Sequence, residues 1–142
     1  MAIIIKNSKE LKKYLDKDKN LHLENENVRI EYQVEKGEMN DVYCQDLFLM
    51  DDSQKFNFNG RNFNGGNFNG RDFNGWNFNG GDFNGRNFNG WDFNGKKISY
   101  FAFFNCYGSI KCESYEGRRK PHAEPVCLDG KIEIIKPILK EE

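Results

Sequence analysis

Residues 56–95 read FNFNGRNFNGGNFNGRDFNGWNFNGGDFNGRNFNGWDFNG. Eight phenylalanines (Phe58, Phe63, Phe68, Phe73, Phe78, Phe83, Phe88 and Phe93) stand five residues apart without a slip. Each follows Asn or Asp and precedes Asn-Gly, giving the unit [Asn/Asp]-Phe-Asn-Gly-x. The x residues are Arg61, Gly66, Arg71, Trp76, Gly81, Arg86, Trp91 and Lys96. A period of five fits neither the helical period of about 3.6 nor the strand period of about 2. It requires a repeat architecture.

Asn-Gly is a strong hairpin signal, because both residues tolerate positive φ. Successive hairpins would leave strands of only three residues between turns, too short to hold. A chain that turns the same way every five residues instead closes a coil. Coils then stack at the ordinary strand spacing of about 4.8 Å. This places Phe inside and Gly at the corner.

The pairs Asn57-Phe58, Asn62-Phe63, Asn67-Phe68, Asp72-Phe73, Asn77-Phe78, Asp82-Phe83, Asn87-Phe88 and Asp92-Phe93 carry a resemblance to the pentapeptide-repeat family. The resemblance implies an all-β fold, a right-handed quadrilateral β-helix with four units to the coil. Residues twenty apart would then stack, with Phe58 under Phe78 and Asn59 under Asn79. Arg71 would lie beside Trp91, and Asp72 beside Asp92 as a like-charge pair. The family has a small inward residue two before the Phe. Here Arg61, Arg71, Trp76, Arg86 and Trp91 occupy that place. Such side chains either turn outward or alter the coil section.

The chain of 142 residues suits one domain: an N-terminal cap with first coils (1–54), a shaft (55–105) and a C-terminal cap (106–142). Asn7 and Glu10 have capping-box spacing and open a short helix with Leu11, Tyr14 and Leu15 on one face. Alternation over Leu21–Tyr32 predicts strand, Lys36-Gly37 a turn, and Val42–Met50 an irregular coil with Phe48 in phase with the repeat. Ile98 and Phe103 continue the phase. Residues 117–125 have loop composition, and Ile132, Ile134 and Ile135 suggest a last strand ended by Pro137.

The net charge of −1 conceals segregation. Residues 1–20 carry +3 and residues 96–142 carry +2, while the repeat balances three Arg against three Asp. Residues 24–52 hold nine acids (Glu24, Glu26, Glu31, Glu35, Glu38, Asp41, Asp46, Asp51, Asp52) against Arg29 and Lys36. No apolar run is long enough to span a membrane, and Ile3-Ile4-Ile5 is too short for a signal peptide. Four cysteines without a secretion signal point to reduced thiols in a bacterial cytoplasm.

No nucleophile–base pair stands out, so neither catalysis nor a cofactor is expected. Cys106, Cys112, His122 and Cys127 lack the spacing of a standard zinc site, and no metal is expected. Arg118-Arg119-Lys120 reads as a solvated loop. The sharper candidates for partner binding are Arg61, Arg71, Trp76, Arg86 and Trp91, since Trp and Arg dominate interface hot spots. The acidic flank is a candidate phosphate mimic. The segments 109–112, 117–119 and 127–130 resemble the ends of phage and prophage pentapeptide-repeat proteins of low-GC bacteria. The resulting expectation is a non-enzymatic inhibitor that occupies a surface of a host nucleic-acid-handling or defence complex, in an anti-CRISPR-like or other counter-defence role. A DNA mimic that binds gyrase and a nucleic-acid-binding protein are the alternatives. The acidic flank and neutral shaft argue against tight binding to nucleic acid directly, and a homodimer is left open.

Overall fold

The computed structural model describes residues 2–118 and 124–135. It is a parallel β-solenoid with one short helix near its start. Phe58 pairs in register with Phe73, Phe63 with Phe78 and Phe68 with Phe83. The next step pairs Phe73 with Phe88, Phe78 with Phe93 and Phe83 with Ile98. Stacked residues are therefore fifteen apart, and the coil closes after three units. This corrects the four-sided section that the family resemblance implied.

The physical reason lies in the rings. Phe residues on different faces meet edge to face, with centroids 5.5–6.4 Å apart and interplanar angles of 73–89°. Along each face they stack at 4.5–5.2 Å. Both arrangements suit the aromatic quadrupole. Each unit sends one large side chain inward, and three rings per layer meet across the axis, fully buried.

Glycine has a different role from the one the Asn-Gly motif suggested. Among the described glycines only Gly37, in the turn after Lys36, has positive φ (94°). A Cβ on Gly75 would sit 3.1 Å from its own unit's Phe73 ring and 2.6 Å from the Arg61 carbonyl oxygen of the coil below. Gly85 and Gly95 are similarly confined by Phe83 and Phe93. The ring folds over the glycine two residues on, so the space is already taken.

The Asn or Asp before the Phe ties one coil to the next in every unit but that of Phe78, where Asn77 Oδ1 is buried without a partner among the described residues. Asn57 Oδ1 accepts from the backbone N–H of Asp72, Asn62 Oδ1 from Asn77, and Asn67 Oδ1 from Asp82. Asp41, Asp46, Asp82 and Asp92 accept in the same way from Asn62, Asn67, Lys97 and Ser109. The Asn after the Phe forms an amide ladder over the first seven units: Asn74, Asn79, Asn84 and Asn89 donate to Asn59, Asn64, Asn69 and Asn74. The expected Asp72–Asp92 repulsion does not arise. Asp72 pairs with Asn87, whose Nδ2 donates to its carboxylate, and Asp92 pairs with Asn77.

The flanks continue the coil with longer turns. Leu21–Leu23 pairs with Val42–Cys44, which pairs with Phe63–Asn64; Asn27–Ile30 pairs with Leu47–Leu49, which pairs with Phe68–Asn69. Leu47, rather than Phe48, occupies the inward position, and Phe48 lies opposite Asn69 on the outside. Likewise Phe104 takes the inward place above Phe88, and Phe103 lies opposite Asn87. A one-residue register shift between Gly85 and Asn87 produces this displacement. The helix α1 (Ser8–Tyr14) is capped by Asn7, whose side chain accepts from Glu10 N–H while Glu10 Oε1 accepts from Lys6 N–H. Leu11 enters the core, whereas Tyr14 is exposed. No polar or charged residue is buried among the described residues. No helix there is long and apolar enough to cross a membrane.

Candidate functional site

The interior is apolar apart from the Cys44, Cys106 and Cys112 thiols and Tyr100, so the charged side chains lie outside, and the x residue of each unit stands at a corner. With fifteen residues per coil, the x residues fall into three vertical rows. One row is Arg61, Trp76 and Trp91, joined by ladder bonds from Trp76 N–H to the Arg61 carbonyl and from Trp91 N–H to the Trp76 carbonyl. The second is Gly66, Gly81 and Lys96, linked in the same manner. The third holds Arg71 and Arg86, with Arg86 N–H donating to the Arg71 carbonyl. The five residues expected to bind a partner thus separate onto two corners.

The first row is an aromatic corner. The Arg61 guanidinium carbon lies 4.9 Å from the Trp76 ring centroid, a cation–π arrangement. Trp76 and Trp91 stack at 5.2 Å and 4°. The expected Arg71–Trp91 contact is replaced by this one, because the coil is fifteen residues long and not twenty. Both indoles remain accessible, Trp76 at 39% and Trp91 at 53%. Tyr107 is equally exposed on the next coil, where Gly108 N–H donates to the Trp91 carbonyl. A shallow groove beside Trp76 is lined by Lys36 and the amide ladder of Asn59, Asn74 and Asn89.

Much of the acidic flank is engaged locally. Asp41 and Asp46 serve as coil-to-coil acceptors, and Asp51 accepts from the backbone of Ser53 and Gln54. Glu31 and Asp52 meet Arg29 at 2.7 and 3.2 Å. Glu24 meets His22, which also contacts Asp16 and stacks on Tyr43. Glu38 accepts from Ser8 Oγ, Tyr32 Oη and Glu35 N–H. Burial pushes the Glu38 carboxyl up, but these donors and the charge of Lys12 outweigh it and hold the group below its ordinary range. Glu26 and Glu35 sit in turns, through Glu26 N–H to Leu23 and Glu38 N–H to Glu35.

Cys106 and Cys127 are neighbours in register, and burial raises both thiols, as it does those of Cys112 and Cys44, the last to about 12. Among the described residues no group of three or more His, Cys, Asp or Glu is arranged to hold a metal. His122, Arg119 and Lys120 lie outside the described residues.

Phe101, Tyr107, Lys36 and Lys55 were not singled out by their motifs, yet they line the corners. A signal was present in the repeat itself: Trp76/Trp91, Gly66/Gly81 and Arg71/Arg86 each recur after fifteen residues. No family model, curated protein or solved structure matches the chain.

Proposed function

We infer that this chain is a rigid, non-enzymatic binding protein of pentapeptide-repeat type that holds a protein partner with its aromatic corner. The observation that carries this reading is the column Arg61–Trp76–Trp91, exposed on a scaffold whose geometry is fixed by stacked rings and ladders. Little ordering cost attends binding to a preorganised surface, and Trp and Arg are the residues that supply the largest hot-spot energies. The raised thiols favour the protonated form, which suits packing rather than nucleophilic attack or metal ligation. The tail's likeness to prophage proteins directs the search to a bacterial host's nucleic-acid-handling or defence complexes in the cytoplasm, with inhibition as the effect.

Affinity capture from a low-GC bacterial lysate, with nuclease controls, tests the reading. The parent protein should retain a defined host complex that Trp76→Ala/Trp91→Ala loses, while the two proteins melt alike. Each indole should contribute about 2 kcal/mol or more. Equal capture by both proteins would remove the aromatic corner from the interface.

A further inference from the structure

We propose that the third corner is a binding strip for single-stranded nucleic acid. Its side chains lie on successive coils. Arg71 N–H donates to the Phe56 carbonyl beside Lys55, Arg86 N–H to the Arg71 carbonyl, and Arg118 N–H to the carbonyl of Tyr100 beside Phe101. The column thus runs Lys55, Arg71, Arg86, Phe101, Arg118. The groove along it is lined by these residues with Gly70, Asn84 and Gly85, and contains no carboxylate. None of the four cations forms an ion pair among the described residues. Arg118 donates through one terminal nitrogen to Ser99 Oγ at 3.3 Å.

The aromatic member is there because of the register shift. Opposite Arg86 the next coil carries two residues, Phe101 and Ala102. Ala102 is buried, and Phe101 is pushed out to 50% exposure. A large apolar ring held between cations on a rigid edge is the pairing that single-stranded nucleic acid engages, with phosphates on the charges and a base on the ring. At about 4.8 Å per coil the four steps span roughly 19 Å, the length of a few nucleotides. A protein's acidic surface would satisfy the cations but would leave the ring without a stacking partner. The repeat's neutrality does not oppose this. Asp72, Asp82 and Asp92 are engaged in coil-to-coil hydrogen bonds, while Arg71 and Arg86 project from one corner.

Four contacts imply a modest, salt-steep interaction rather than a tight one. With a slope of about −0.7 per contact for single strands, affinity should fall about 50-fold between 50 and 200 mM salt. The test is fluorescence anisotropy with a labelled oligothymidylate of about a dozen nucleotides. Arg71→Gln/Arg86→Gln should weaken binding at 50 mM salt at least tenfold and reduce the salt slope by about 1.4. Phe101→Ala should weaken binding without changing the slope, and Lys96→Gln, on the corner of Gly66 and Gly81, should leave it unchanged. Thermal melts of each variant establish that the fold is retained; Arg71→Lys/Arg86→Lys, which keeps the charge, should bind nearly as the parent does. Absence of binding at 50 mM salt would overturn the proposal. So would binding indifferent to the Gln pair, or a concentration-dependent dimer that the Gln pair dissociates, since the corner would then serve a second copy. These outcomes are independent of partner capture by Trp76 and Trp91.

Discussion

At the scale of single residues, the shaft depends on what its glycines leave out. Gly75 has ordinary backbone angles, so its freedom of φ is not what matters; its missing Cβ leaves room for the Phe73 ring and the Arg61 carbonyl. Gly75→Ala should therefore destabilise the protein by about 1–3 kcal/mol, the usual cost of overpacking a filled core. Gly37→Ala makes a useful contrast. Nothing lies within 4 Å of the added carbon, but φ is 94°, so any loss there arises from backbone strain of about 1 kcal/mol. Phe78 stacks between Phe63 and Phe93 and touches Phe68, Phe73, Phe83 and Phe88 edge-on. With neighbours held on every side, its site cannot collapse, and Phe78→Ala should cost about 3–5 kcal/mol. Urea titration of the three variants measures all of these. A loss below about 0.5 kcal/mol at Gly75 or Phe78 would contradict the packing, because surface changes are of that size.

At the scale of elements, the unit is a coil tied to its neighbours by Asn and Asp side chains, and the N-terminal helix is attached by a different device. Glu38 joins Ser8 on α1 to Tyr32 and to the backbone of Glu35. Its carboxyl is held below the ordinary value of 4.5, so the unfolded chain binds a proton more readily than the folded one. The stabilisation is then complete above about pH 4.5 and is lost as pH falls through the lower folded value. The melting temperature of the parent should drop more steeply from pH 6 to pH 3 than that of Glu38→Gln; identical slopes would show that the helix attachment does not depend on this charge. The cap itself was legible in Asn7 and Glu10, because a capping box is a local signal. Inward Phe was legible too, since a strict period of five admits no other filling of the core. The number of units per coil was not. Every unit presents nearly the same residues, so closure after three or four depends on ring packing across the axis, a non-local property. Phe48 and Phe103 were misplaced for a related reason: a single-residue change in coil length exchanges the inward and outward positions, and Leu47 and Phe104 are adjacent alternatives of similar character.

At the scale of the whole molecule, the coil narrows and widens again. Asn62 bonds to Asp41 across twenty-one residues, Asn77 to Asn62 across fifteen, and Ser109 to Asp92 across seventeen. The narrow middle sets the separation of the two corners and hence the placement of everything the protein presents to a partner. Cross-linking reads that geometry directly. Asn79 and Asn94 are in-register neighbours, both exposed. Stacked residues about 4.8 Å apart lie inside the Cα window of roughly 4.4–6.8 Å that a disulfide accepts. Asn79→Cys/Asn94→Cys should therefore cross-link on mild oxidation or with mercuric ion. Asn74→Cys/Asn94→Cys, spaced by twenty residues, should not, because Asn74 lies on the face that pairs with Asn89. Cys106 and Cys127 are also in-register neighbours, so peptide mapping by mass spectrometry is needed to assign the engineered bridge separately from that native pair. The opposite result, a bridge at twenty residues and none at fifteen, would restore the four-sided coil. It would also dissolve both corners, since Trp76 would no longer stand beneath Trp91 nor Arg71 beneath Arg86.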